Sequence, residues 1–240
     1  MQNFIKLGIS IGDPNGIGPE IILKALSEED SLNDIIPIIY SELEIIKFYL
    51  NHLTIKADLN IIDDPLKAKY GHLNIYQLSN SNFKIDFGKP KKESAQVAFK
   101  SLSKASEHTL KNLIDGIVTA PIDKNTIQGH NFDFSGHTEY FTSIASRSQS
   151  LMLMAHRKLK VGIVTNHLSI DQVSKAITVG AILNKISLMD DSLKRDFKIK
   201  NPKIGLLGLN PHSGDGGLIG QQEVKIIHPA IQQAIEKGFN

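Results

Sequence analysis

Two histidines, His167 in VTNHLSI and His212 in GLNPHSGDGG, each follow a short apolar run and open a polar turn. Neutral imidazoles are good ligands for divalent transition metals. In α/β proteins the loops at the carboxyl ends of strands are where ligands collect. The two are too far apart in sequence for a local motif such as His-Glu-x-x-His. Each alone reads as a structural hydrogen-bonding group, and together, at successive strand ends, they read as a shared pair of ligands. A third histidine, His137, stands beside Thr138 in FSGHTEYF, with Glu139 in the first turn of a helix, where the macrodipole favours an acid. Locally that pair reads as a cap arrangement or as a substrate contact.

Other loops offer anion chemistry. GDPNGIGPE follows a strand and opens a helix, and Gly12, Gly16 and Gly18 permit close backbone approach, with Asp13 as a cap. Its glycine spacing is not the dinucleotide fingerprint. In TAPIDKNTI, Asp123 reads as an N-cap and Lys124 as a solvated charge or a partner for phosphate or carboxylate. Gly214, Gly216 and Gly217 shape the turn after His212 and form a second candidate phosphate or cofactor loop.

The elements that must position these loops alternate between strand and helix. Strands are expected at 5–11, 35–40, 59–62, 72–78, 116–121, 151–155, 161–165 and 203–209, the 151–155 and 161–165 runs pairing about HRKLK. Helices are expected at 16–26, 42–50, 93–112, 169–196 and 220–237. The helix over 93–112 follows from Ala95, Ala98, Phe99, Leu102, Ala105 and Leu110 at helical spacing. The alternation predicts an α/β fold with a substantially parallel sheet. Residues 79–93 read as a linker or surface loop, and no strand follows the last helix within these 240 residues.

Composition narrows the function. There are no cysteines, which excludes disulfides, thiolate metal sites and thiol catalysis and fits a reducing cytoplasm. A net charge of +2 and the lack of basic–aromatic interleaving argue against a nucleic-acid partner. No run is long enough for a membrane span, and the N-terminus lacks the apolar core of a signal peptide. The remaining histidines, at 52, 72, 108, 130, 156 and 228, read as structural or solvated.

Taken together, SIGDPNGIGPEI, TAPIDKNTI, FSGHTEYF, VTNHLSI and GLNPHSGDGGLIGQQE resemble the 4-hydroxythreonine-4-phosphate dehydrogenases of pyridoxal phosphate biosynthesis (PdxA), in the family's order and from residue 5 to about 236. The resemblance implies an isocitrate/isopropylmalate dehydrogenase-like fold. Residues 1–240 would form a single catalytic domain of two α/β lobes with a cleft between them and a crossover near 120–135. It also implies a homodimer with its active site at the interface, NAD or NADP as cofactor, and one divalent metal per site (Zn, Mg or Co). His137 and Thr138 match the family's substrate-contacting pair, and His167 and His212 match two of its three metal histidines. The third lies in a later Tyr-His-Asp-Gln-Gly-type segment with no counterpart here, as do a lysine, an asparagine and an arginine that bind substrate. The sequence is therefore expected to be a fragment or a truncated product.

The implied reaction oxidises the C3 hydroxyl of 4-phosphooxy-L-threonine, a small phosphorylated amino acid. The β-keto acid so formed loses CO2 to give 3-amino-2-oxopropyl phosphate. A metal would polarise the hydroxyl and the developing ketone, and the nicotinamide would take the hydride. Two alternatives stand beside it. One is a paralogue acting on another phosphorylated 3-hydroxy acid, such as a four-carbon sugar acid phosphate. The other is a metal-dependent hydrolase using His167, His212 and a carboxylate such as Asp215.

Overall fold

The computed structural model describes residues 4–28, 32–79, 83–128, 132–146 and 149–240. The chain divides into two compact units, Met1–Ser146 and Arg147–Asn240. The boundary falls after the 120–135 stretch expected to hold the crossover, of which residues 129–131, including His130, lie outside the described residues, as do 80–82 of the expected linker.

The first unit is built on five parallel strands: β1 (Ile5–Ser10), β2 (Ile35–Ser41), β3 (Leu59–Ile62), β4 (Leu73–Gln77) and β5 (Gly116–Thr119), in the order β3-β4-β2-β1-β5. Alternate side chains of one strand point to opposite faces, and both faces are covered. Ile9, Ile39 and Ile75 pack with Ile22 and Leu23 of α1 (Gly18–Leu26) and Ile46 and Leu50 of α2 (Leu43–Leu53). Ile38, Tyr40 and Ile62 pack with Ala105 of α3 (Lys92–Leu110) and with Ile114. Burial on both sides explains why β2 reads as a continuous apolar run rather than an alternating one. From β1 the chain moves to β2, on to the edge strand β3 and back to β4 between them, then lays β5 on the other side of β1. The gap between the carboxyl ends of β1 and β5 is therefore the topological switch point, where open α/β sheets bind ligands.

The short helices α4 (Lys124–Ile127) and α5 (His137–Ile144) complete the unit. They pack on α3 through an aromatic cluster in which Tyr140 meets Phe132, Phe134 and Phe99 at centroid distances of 5.7, 5.5 and 6.3 Å.

The second unit opens with an antiparallel hairpin, β6 (Met152–His156) and β7 (Leu159–Ile163), followed by α6 (Ile170–Ala176) and α7 (Val179–Arg195). A π-helical turn, Glu223–Ile227, runs into α8 (His228–Glu236). Ile182 and Ile186 of α7 pack with Ile227, Ala230 and Ala234. No helix among the described residues is long and apolar enough to cross a membrane.

One expected element is absent. Residues 203–209 run without secondary structure instead of forming a strand. Ile204, Leu206 and Leu209 still face the core, while Leu207 is 89% exposed. The Ile204 N–H donates to the Asn240 carbonyl (2.9 Å), and the Leu209 and Asn210 N–H groups go to the Glu223 carboxylate, so the ends are tied without a ladder. Residues 203–209 line a largely apolar groove of about 470 Å³, whose other walls come from β7 and α7. An apolar sequence becomes a strand only where a neighbouring backbone pairs along it, and among the described residues no such ladder forms beyond the single Ile204–Asn240 bond.

Inside the first unit, the Tyr40 hydroxyl of β2 lies 2.8 Å from Nδ1 of His108 of α3, both residues buried. Burial holds His108 below its ordinary range, outweighing Glu107 beside it, while Lys104 and Lys111 add to the lowering. The unfolded chain therefore takes up the proton first. The stability due to neutral His108 is complete above the ordinary histidine range and is lost as pH falls below it. Melting temperature should fall as pH is lowered from neutral through the histidine range, and the slope should flatten in His108→Gln. Tyr40→Phe should cost about 1–3 kcal/mol in denaturant unfolding at neutral pH, because the imidazole nitrogen is left buried without its partner.

Candidate functional site

The loop after β1 is held from three sides. Gly12 has φ +70°, and a Cβ there would fall 2.3 Å from the Pro121 carbonyl oxygen in the loop after β5. The Asp13 N–H donates to that same carbonyl at 2.9 Å. A Cβ on Gly18 would meet the Ile11 carbonyl at 2.5 Å. These glycines thus allow two strand-end loops and a helix start to close on one another. Asp13 does not cap α1, whose N-cap is Ile17. Its carboxylate instead accepts the Asn15 N–H at 2.9 Å, and its carbonyl accepts the Gly16 N–H at 3.0 Å. The N–H groups of Asp13, Asn15 and Gly16, in a loop read as a candidate anion site, are therefore already engaged.

Two residues without an evident role in the sequence brace this loop. The Tyr49 hydroxyl donates to the carbonyls of Pro14 (2.8 Å) and Gly16 (3.1 Å), and burial pushes its pKa up to about 12. Asn15, buried, binds the 86–89 segment through its side chain, accepting the Asp86 N–H and donating to the Lys89 carbonyl, both at 2.8 Å. Tyr49 sits in the apolar face of α2 and Asn15 among turn residues, so neither carried a signal beyond its local role.

After β5, Asp123 is the N-cap of α4, accepting the Thr126 N–H at 2.7 Å. That leaves Lys124 at the first helical position, with no ion pair among the described residues. Lys124 approaches the start of α5. A Cβ built on Gly136 would lie 3.4 Å from Oε2 of Glu139 and 3.8 Å from Nζ of Lys124. His137 and Thr138 occupy the first turn of α5, and the His137 ring stacks on Phe141 at 6.3 Å. Nε2 of His137 is buried and has no hydrogen-bond partner among the described residues. Burial, and secondarily the Lys124 ammonium, hold His137 below its ordinary range, so it is neutral at physiological pH. The structure thus brings Lys124 to Gly136 and His137 at the start of α5, a grouping that sequence separation hid.

In the second unit His167 and His212 do not stand at the strand ends where they were expected. β7 before His167 belongs to an antiparallel hairpin, and no strand precedes His212, so neither histidine ends a buried parallel strand. What they share is a left-handed backbone, φ 55° at His167 and 52° at His212. From His212 to Gly216 five consecutive residues are left-handed, three of them non-glycine. Such residues are costly outside glycine and persist where the surroundings fix them. Glu223 is the fixing group. Its buried carboxylate accepts the N–H groups of Leu209 (2.9 Å) and Asn210 (2.7 Å) and the Asn210 amide (2.8 Å), and these bonds bring its pKa down to about 2. Gly214 leans against it so closely that a Cβ would sit 2.6 Å from the carboxylate. Gly214, Gly216 and Gly217 all have positive φ, which accounts for the turn's glycines by shape. No set of three His, Asp or Glu side chains that could hold a metal gathers among the described residues. The two histidines therefore do not by themselves fit a complete metal site.

A parallel sheet covered on both faces, with polar loops meeting at its switch point, is an α/β ligand-binding or catalytic architecture. The family described as Pyridoxal phosphate biosynthetic protein PdxA matches residues 33–240, and the chain belongs to that family. The 4-hydroxythreonine-4-phosphate dehydrogenase of Bacteroides thetaiotaomicron is 38% identical over 239 residues, covering 99% of this chain and 66% of the relative. A Clostridium botulinum protein provisionally named a D-threonate 4-phosphate dehydrogenase is 30% identical over 236 residues, covering 97% of this chain and 70% of that one. The crystal structure of 4-hydroxythreonine-4-phosphate dehydrogenase from Klebsiella pneumoniae superposes with a TM-score of 0.88 at 28% identity, over 99% of this chain and 72% of that one. The chain spans about two thirds of the length of these relatives.

Gly12→Ala should destabilise the protein by about 2–4 kcal/mol in chemical unfolding, since it combines a positive φ with a backbone clash. Gly214→Ala should perturb the 209–217 loop, read as faster amide exchange at Leu209 and Asn210, whose N–H groups depend on Glu223.

Proposed function

We propose that the protein takes part in the NAD(P)-linked oxidation and decarboxylation of 4-phosphooxy-L-threonine in pyridoxal 5'-phosphate biosynthesis. It would do so as a homodimeric cytoplasmic enzyme of the kind named for its relatives. The observation that carries this reading is His137: a neutral imidazole in the GHTE motif, with a buried nitrogen held open at the start of α5. Membership of the PdxA family supports the same reaction class.

In this reading the His137 Nε2 forms a hydrogen bond with a polar group of the substrate, and the Thr138 hydroxyl forms a second. Being neutral, His137 can accept or donate that bond. Its ring is steadied by Phe141, and α5 by the Tyr140 aromatic cluster, so the contact is preorganised rather than assembled on binding. When bound, a nicotinamide cofactor supplies the hydride acceptor. His167 and His212 are proposed as two ligands of a divalent metal (Zn, Mg or Co). Since the described residues do not complete its shell, no step is derived through it.

A second reading has specific support. The D-threonate 4-phosphate relative favours a phosphorylated four-carbon acid that lacks the amino group. NADH absorbance should rise on adding NAD(P) with 4-phosphooxy-L-threonine, and His137→Ala should lower kcat/KM by roughly a hundredfold or more. A rise only with threonate 4-phosphate selects the second reading, and an unchanged kcat/KM in His137→Ala removes the role of His137. His212→Ala should weaken divalent-metal binding by at least about tenfold in calorimetry.

A further inference from the structure

We propose that Lys124 is an anion-binding residue of the His137–Thr138 site: its ammonium holds an anionic group of the substrate, carboxylate or phosphate, against the His137 ring. The inference deepens the reading above and rests on it for the identity of the substrate, though not for the binding itself.

Three independent features converge on one place. The Lys124 Nζ reaches to 3.8 Å from the space a Cβ on Gly136 would fill, at the residue that precedes His137. Lys124 makes no ion pair with any carboxylate among the described residues, although it lies at the head of a helix capped by Asp123, whose own carboxylate is taken up by Thr126. Beside it the His137 Nε2 is buried with no partner among the described residues. A buried polar nitrogen and an available cation at the same point suit a ligand that brings negative charge and hydrogen-bonding oxygens together. Among the described residues the charge that acts on His137 is Lys124 from α4, and Oε2 of Glu139, from the same helix as His137, lies 3.4 Å from a Cβ built on Gly136. Gly136 keeps the space between them clear.

The same proximity gives Lys124 a second effect on the ring. A positive charge beside an imidazole disfavours its protonation, so Lys124 adds to the lowering that burial already imposes on His137, and a bound anion would offset the Lys124 share. Binding of an anion should then raise the His137 pKa, and the substrate thereby tunes the group that contacts it.

The test uses the full 240-residue chain and needs neither cofactor nor turnover. Inorganic phosphate and acetate are titrated separately while the His137 ring signals are followed by NMR. At least one anion should shift those signals saturably and raise the His137 pKa. Phosphate alone assigns Lys124 to the phosphoryl end, and acetate alone assigns it to the carboxylate. In Lys124→Met the affinity should fall roughly tenfold, the pKa of the free protein should rise, and Lys124→Arg should restore binding. Lys124 is exposed, so the truncation leaves the core intact. Unchanged affinity in Lys124→Met, or no response of His137 to either anion in the wild-type chain, overturns the proposal. If anions bind through Lys124 while no NADH forms with either substrate, the dehydrogenase reading fails and the anion site stands. If NADH forms and Lys124→Met leaves KM and anion binding unchanged, the reverse holds.

Discussion

The contact between Gly12 and the Pro121 carbonyl is the constraint around which the first unit is arranged. It joins the carboxyl ends of β1 and β5, the two strands between which the chain reverses its direction of growth across the sheet. Because no side chain intervenes, the two loops share a backbone hydrogen bond. From this junction one loop leads into α1, and the other leads through the Asp123 cap to Lys124. The position of the Lys124 ammonium thus traces back to a glycine more than a hundred residues earlier. Anchoring by Tyr49 and Asn15 extends the same rigidity outward to α2 and the 86–89 segment.

The two candidate sites are fixed by different means. The α5 start is positioned by packing, with aromatic rings on three elements closing around Tyr140. The 209–217 loop is positioned by a buried carboxylate that gathers N–H donors, and it holds five residues in a conformation that none but glycine adopts readily. Packing tolerates modest change of shape. A single buried acceptor does not, because every donor it satisfies would otherwise be left without a partner.

Much of the first unit was legible because its signals are local. Periodicity in α3, the apolar runs of β1 and β2 and the glycines after β1 are each set by nearby residues. Residues 203–209 look just as strand-like as β2, but pairing is a property of neighbours, and a sequence window cannot show that a neighbour is missing. His167 and His212 stand out by residue type, yet neither lies at the end of a parallel strand. Glu223 escaped notice although in the sequence it stands at helical spacing from Ile227, Ala230 and Ala234. A lone acid in that apolar series was the available signal. The partnership of Lys124 with His137 could not be read at all, since it depends on how α4 and α5 meet.

The π-helical turn at Glu223–Ile227 has a bearing on how this region tolerates change. One extra residue in a helical turn rotates the residues before it by about 100° relative to those after it. Glu223 can therefore face the loop while Ala230 and Ala234 face α7 along the same continuous helix. The spacing between clamp and core is thus counted in whole residues. Conservative substitutions along this helix would be absorbed. A one-residue deletion would not be, because it would swing the carboxylate off its donors even if every remaining side chain kept its identity.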